Sequence, residues 1–305
     1  MLVNGWAFFN ILTSTMFKQL NTAGVSATEW LLWRNGFNML IWLLINSKRR
    51  LNPFSPKDQN GQIRLILFRV FVGQLGFCCF YFAATLIPLF LLTIILQTAP
   101  LWTSFLGKWV NDERVYCFEY AAMLLCFIGV VAVTASKHSN SLNFGESNSA
   151  FIFGCLIVFV NSWCLATINV CNRKLKEVDV TIIVFWHLLI GLTLGSLYYL
   201  YINLAEGYVF ELHSASVYGW LIFMCVLDFT AMNCLTRAFQ LDSSAFLSII
   251  SYCIVLYGFA VDVLYWKLPI GGSDLVGACL IFLVTITTVI YKYRLQSKGD
   301  FIKQI

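Results

Sequence analysis

The sequence predicts an all-α polytopic membrane protein, ten transmembrane helices arranged as two inverted five-helix repeats. Three observations predict it. Hydrophobic residues make up 59% of the 305 positions and charged residues only 11%, with a mean hydropathy of +0.77; a soluble domain carries roughly 25% charged residues. The apolar residues fall in runs near the ~20 residues a helix needs to cross the hydrocarbon. Finally, the chain resembles itself when displaced by 155 residues. Then Leu92-Thr93-Ile94-Ile95 falls on Leu247-Ser248-Ile249-Ile250, Lys18-Gln19-Leu20 on Arg173-Lys174-Leu175, and Ala83 on Ala238. Five helices per repeat is an odd number, so the second repeat must lie inverted, an arrangement typical of transporters.

The runs place spans at 1–17, 29–45, 65–87, 88–109, 115–135, 150–170, 180–202, 218–239, 245–266 and 275–291. The first starts at Met1 with no basic leader or small-residue cleavage site, and so reads as a span rather than a cleaved signal peptide. Neither Leu86–Leu96 (LIPLFLLTIIL), across the join of the third and fourth spans, nor Leu275–Val289 in the tenth alternates as a barrel strand would. A helix also satisfies its backbone amides internally, which hydrocarbon demands. This divides the chain into a first repeat at 1–135, an extracytoplasmic linker at 136–149, a second repeat at 150–293 and a cytoplasmic tail at 294–305.

Charge sets the orientation. With the amino terminus in the cytoplasm, inside segments hold fifteen Lys and Arg residues, and outside segments hold three, Lys18, Lys137 and Lys267. Both termini are then cytoplasmic by the positive-inside rule, in either the plasma membrane or an endomembrane. The formal charge of +5 is thus a topology signal and implies no nucleic-acid partner. The eleven cysteines lie inside apolar runs or, for Cys171, directly at the end of one, where they serve as small packing residues.

Certain residues could carry chemistry. A charge in hydrocarbon is costly and needs an explanation. Arg34 lies about five residues into the second span, with Asn38 one turn on. It reads as a cation meeting an anionic group, or as a partner of an acid. Asp228 sits mid-span in the eighth, too deep to reach a headgroup. It is a substrate contact, a proton site or the structural partner of Arg34. Asp262 lies nearer the outer end of the ninth span. His187, early in the seventh, is of the residue type whose ordinary near-neutral pKa suits proton coupling. Arg69 and Glu119 read as interfacial. Polar stripes add to these: Thr93, Gln97, Pro100 and Ser104 share one face of the fourth span, and Ser248 and Tyr252 recur 155 residues after Thr93 and Gln97. Asn161 with Asn169 marks the sixth span, Gln74 and Tyr81 the third, and Asn10 with Ser14 the first. Gly191 and Gly195 form a small-xxx-small pattern for close helix packing, and Pro100 kinks its helix.

Arg34 within LLWRNGFNML, Ala83 in FCCFYFAATLIPLF, Gln97-Thr98-Ala99-Pro100-Leu101 and Asp112-Glu113 together resemble the first EamA repeat. That repeat builds the drug/metabolite transporter superfamily, which includes the nucleotide-sugar transporters. Thr236-Arg237-Ala238-Phe239-Gln240 and Ser248-Ile249-Ile250-Ser251-Tyr252 resemble the second. The resemblance implies a ten-helix carrier whose central cavity is formed by helices 1–4 and 6–9. Two departures stand out: Trp266-Lys267-Leu268-Pro269 replaces the acid expected after helix 9, and His187 stands where the second repeat usually has an arginine.

The expected function is carriage of a small polar metabolite by alternating access, the substrate being an organic anion, amino-acid-like or nucleotide-sugar-like. A non-transporting regulatory or interaction protein on the same fold is the alternative. No nucleophile–base pair or metal-ligand spacing points to an enzyme, and no cofactor or metal is expected. The partners expected are the substrate and the lipid bilayer, with a homodimer also allowed. In a background without native cysteines, single cysteines at 46–64 should be labelled only from the cytoplasmic side. Those at 136–149 should be labelled only from the opposite side, and the reverse pattern would invert the topology.

Overall fold

A computed structural model describes residues 1–55, 57–86, 92, 95–113, 115–136, 148–207, 209, 212–265, 267 and 271–297. Among them all regular structure is helical: α1 (Leu2–Thr22), α2 (Ala27–Arg49), α3 (Ile63–Leu86), α4 (Ala99–Val110), α5 (Cys117–Ser136), α6 (Asn148–Lys174), α7 (Val180–Glu206), α8 (Ala215–Leu241), α9 (Ser244–Ser251), α10 (Cys253–Leu264) and α11 (Gly272–Ser297). Five described stretches are long and apolar enough to cross a bilayer: Ile63–Phe80, Ile152–Lys174, Val180–Glu206, Ala215–Leu241 and Ser244–Val261. Shorter apolar helices lie at Cys117–Ala132 and Leu275–Tyr291. α1 and α2, also expected to span, are more polar. α1 carries Asn4, Asn10, Lys18 and Asn21, and α2 carries Glu29, Arg34, Lys48 and Arg49.

The helices gather into two compact units, Met1–Gln74 with Lys174–Leu241 and Leu75–Arg173 with Asp242–Ile305. Each unit therefore draws helices from both sequence halves, and α3 and α6 each contribute to both. In the first unit α1 packs on α8, and α2 on α7 and α8. Met16, Leu20 and Trp30 meet Leu221, Met224 and Cys225 in one core cluster. Trp42 meets Val184, Phe185, Leu188 and Phe229 in another. Local signals set the ends: the Ser26 hydroxyl accepts the Glu29 N–H at 3.1 Å to start α2, and Asp179 accepts the Thr181 N–H at 2.8 Å to start α7. Gly207, with φ +66°, closes α7 in the left-handed conformation glycine favours.

In the second unit α5 lies along α11, and α9 packs on α4 and α5. Met123, Cys126 and Val130 form a core with Ile249, Tyr252 and Ile281. The expected ninth span, 245–266, is not one continuous helix but breaks at Tyr252 into α9 and α10. In the fourth, a turn at Gln97–Thr98 precedes α4. Pro100 explains the turn, since its ring has no N–H and would collide with the carbonyl four residues back. No proline stands at the second break. Instead the Ser251 hydroxyl donates to the Ser248 carbonyl and the Ser248 hydroxyl to Ser244, both at 2.7 Å, bonds that compete with the backbone ladder.

The breaks are 155 residues apart, and the helix ends keep that interval. Displaced by 155, α2 falls on 182–204 beside α7, α3 on 218–241 beside α8, α4 on 254–265 beside α10, and α5 on 272–291 beside α11. Even a rare backbone state recurs, with Asp112 at φ 53° and Lys267 at φ 51°.

Contact between α5 and α11 depends on Gly129, where a Cβ would lie 2.7 Å from Ile281 Cγ1 and 2.9 Å from the Gly277 carbonyl oxygen. The carbonyl belongs to the backbone and cannot rotate aside, so Gly129→Ala should destabilise the protein by ~1–3 kcal/mol, as overpacking does. A Cβ at Gly219 in α8 meets nothing within 4 Å. Gly219→Ala should therefore be neutral or gain up to ~1 kcal/mol of helix propensity. Thermal unfolding of both variants in one detergent checks the contrast.

Candidate functional site

The first unit gathers a polar cluster inside its apolar helices. Arg34 on α2 donates from Nε to Asp228 Oδ2 on α8 at 2.7 Å, and Asn38 Nδ2, one turn on, donates to the same oxygen at 3.1 Å. The Arg34 and Asp228 side chains are only 14% and 15% exposed, and Asn38 is fully buried. A carboxylate can only accept, so its bond fixes which way the Asn38 amide points. Asn38 Oδ1 is thereby left buried and without a donor among the described residues.

Next to this triad, α3 and α7 contribute amide and imidazole groups. Gln74 Nε2 donates to the His187 carbonyl at 3.3 Å. One turn on, Gly191 provides the space these groups occupy: a Cβ there would lie 3.0 Å from both Asn35 Nδ2 and Gln74 Nε2. Gly195 does the same for Leu32, whose Cδ2 would lie 3.3 Å from an added Cβ. Asn35 Oδ1 and His187 Nδ1 are also buried without partners among the described residues. Such orphaned groups are uncommon in native structures and call for an explanation. The cluster thus combines one compensated ion pair with buried acceptors that seek a donor.

Of the residues singled out by sequence, Arg34, Asn38, Gln74, His187 and Asp228 come together in this unit. Gln97, Asn161, Ser248 and Tyr252 belong to the second unit. Tyr252, fully buried, donates its hydroxyl to the Gln97 backbone carbonyl at 3.1 Å. The turn frees that carbonyl, because the Leu101 N–H turns to the Thr98 oxygen instead. Ser248 spends its hydroxyl within α9. Asn161 sits against Gly76, where an added Cβ would lie 2.9 Å from Asn161 Oδ1. Thr93 and the side chains of Tyr81 and Asp262 lie outside the described residues. Two expected interfacial groups are buried instead. Arg69 is 5% exposed, on the turn of α3 whose Ile66 and Val70 pack against Leu175 and Ile182. Glu119 accepts the Tyr116 N–H at 2.9 Å at the start of α5.

Sequence reasoning missed two polar contacts. His213 Nε2 lies 3.0 Å from Glu29 Oε2, both side chains buried, tying the start of α2 to the segment before α8. The Ser26-x-x-Glu29 spacing marks a helix start, but nothing local signals a histidine 184 positions away. Glu113 accepts the Ser244 N–H at 2.8 Å and its hydroxyl at 3.0 Å, with Arg173 3.7 Å away. It thus caps the N-terminus of α9, where a negative charge is favoured.

The sequence model of a family described as the EamA-like transporter family matches residues 2–135 and 152–290. No curated protein sequence matches the chain. A crystal structure titled only as that of a protein superposes with a TM-score of 0.74 at 15% identity, covering 96% of this chain and 98% of the other. At that identity the likeness concerns the fold.

Removing one partner of a buried pair strands the other, so Asp228→Asn should destabilise the protein by ~3–5 kcal/mol. Replacing both, Arg34→Met with Asp228→Leu, removes the stranded charge and should cost less than Asp228→Asn alone. Thermal unfolding of the wild type and both variants reads this directly. A double variant as unstable as the single one would mean that the pair is not the stabilising contact.

Proposed function

This chain belongs to the EamA-like transporter family, and from that premise we propose that it carries a small polar metabolite across the membrane by alternating access. Both termini face the cytoplasm in this reading. Two matched stretches, 2–135 and 152–290, and the recurrence of helix ends at 155 residues support two five-helix repeats in inverted orientation. The breaks at Gln97–Thr98 and Tyr252 supply points at which the helices of the second unit can bend.

The observation that carries the proposal is the Arg34–Asp228–Asn38 cluster. Arg34 is already compensated, so an anionic group that engages it must displace Asp228. The buried oxygens of Asn35 and Asn38 ask for donors at the same time. A substrate with an anionic group and N–H or O–H donors answers both demands, as an amino-acid-like or nucleotide-sugar-like molecule does. Gln97, Asn161, Tyr81, Thr93 and Asp262 are retained as proposed contacts. Ser248 and Tyr252 act through the helix break they stabilise.

Counterflow in proteoliposomes tests the reading, with labelled amino acids and nucleotide sugars outside and the unlabelled compound inside. A solute accelerated by its own internal pool is expected. For that solute, Arg34→Lys and Asp228→Asn should lower exchange at least tenfold, while Thr230→Ala on the exposed face of α8 should leave it unchanged. If neither these solutes nor simple organic anions exchange in folded protein, the carrier reading fails and a regulatory role takes its place.

A further inference from the structure

One end of the first unit carries a dense, ordered field of positive charge. The segment between α2 and α3 folds back on the segment between α6 and α7. Asn46 exchanges two hydrogen bonds with the Leu51 backbone, at 2.9 and 3.0 Å. Trp186 Nε1 donates to the Pro53 carbonyl at 3.2 Å, and Asn60 Nδ2 to the Glu177 carbonyl at 2.7 Å. From the other side Gln240 donates to the carbonyls of Leu175 and Val178 at 2.8 and 2.9 Å. Loops are normally mobile surface connections; this one is fixed on several sides.

Its exposed face bears Lys48, Arg50, Lys57, Arg64, Lys174 and Lys176. The acids there are fewer. Asp179 pairs with Arg49 at 3.3 Å, Asp58 accepts the Asn52 N–H at 2.9 Å, and Glu177 is exposed. Two membrane-spanning candidates, Ile63–Phe80 and Val180–Glu206, begin at this surface, so the cations stand where headgroups lie. Phe54 projects from the same segment, 63% exposed, edge-on to Phe185 and Trp186 with ring centroids 5.5 and 5.3 Å away. Aromatic side chains favour that interfacial depth.

We propose that this surface docks anionic lipid headgroups of the adjoining leaflet. Topology needs only that cations be present in a loop. A loop pinned by hydrogen bonds also holds them in a fixed array, and so gathers several headgroups at once. Clusters of four to eight Lys and Arg beside a span attract such lipids, and the attraction fades with ionic strength.

The test uses the purified full-length protein in detergent. Thermal unfolding is followed while phosphatidylserine, phosphatidylcholine or inorganic phosphate is added, and native mass spectrometry counts retained lipids. Phosphatidylserine should raise the unfolding temperature by several degrees, with 1 M NaCl abolishing the rise; neither other probe should match it. The variant K48Q/R50Q/K57Q/R64Q should lose at least half of the rise and retain fewer lipids. A charge-preserving K48R/R50K/K57R/R64K variant should keep both, which separates lost charge from lost folding. An equal response to phosphatidylcholine, an equal response to inorganic phosphate, or an undiminished response in the glutamine variant would overturn the proposal.

Discussion

Hydrocarbon offers no hydrogen bonds, and this structure is organised around that shortage. At several described helix ends and breaks, a side chain supplies what water would have supplied. Tyr252 bonds the carbonyl that the turn at Gln97 sets free. Glu113 takes the first amide of α9, and Gln240 holds two carbonyls between α6 and α7. Hydroxyls along the helices bond back to their own carbonyls, as Thr103, Thr167 and Thr285 do. The same rule makes the Arg34–Asp228 pair informative. A cation and an anion held among apolar helices must answer each other, and the acceptors left over beside them mark where the protein alone does not complete the network.

Much of this was legible in the sequence, because the strongest signals are long and local. Apolar runs show where helices lie, and Pro100 shows where one must bend. Arg34 and Asp228 stood out because charges in such runs are rare, and pairing was one of the roles open to them. What escaped has a common cause. Glu29 and His213 are 184 positions apart, and their meeting depends on how α2 and α8 pack. The break at Tyr252 has no proline; it rests on serine hydroxyls that read equally well as a polar stripe. Arg69 and Glu119 lie close enough to helix ends to look interfacial, and only tertiary packing decides that they are enclosed.

The two compact units cut across the two halves of the sequence. Repetition at 155 residues governs local form: helix ends, the two breaks and the unusual φ of Asp112 and Lys267. Packing follows a different partition, with α1 and α2 joined to α7 and α8. Positions 155 residues apart thus share local geometry without sharing chemistry, for Asp112 and Lys267 have the same conformation and opposite charge.

The bond between Tyr252 and residue 97 is asymmetric in what it asks of each position. At 97 it reads a backbone oxygen, which every amino acid provides. At 252 it needs a hydroxyl at the end of a long rigid ring, which tyrosine alone provides. Position 97 can therefore drift through many side chains without loosening the tether, whereas position 252 is pinned. A lineage exploring new chemistry in this helix pair has an evolutionary degree of freedom on one side of the bond and a fixed anchor on the other.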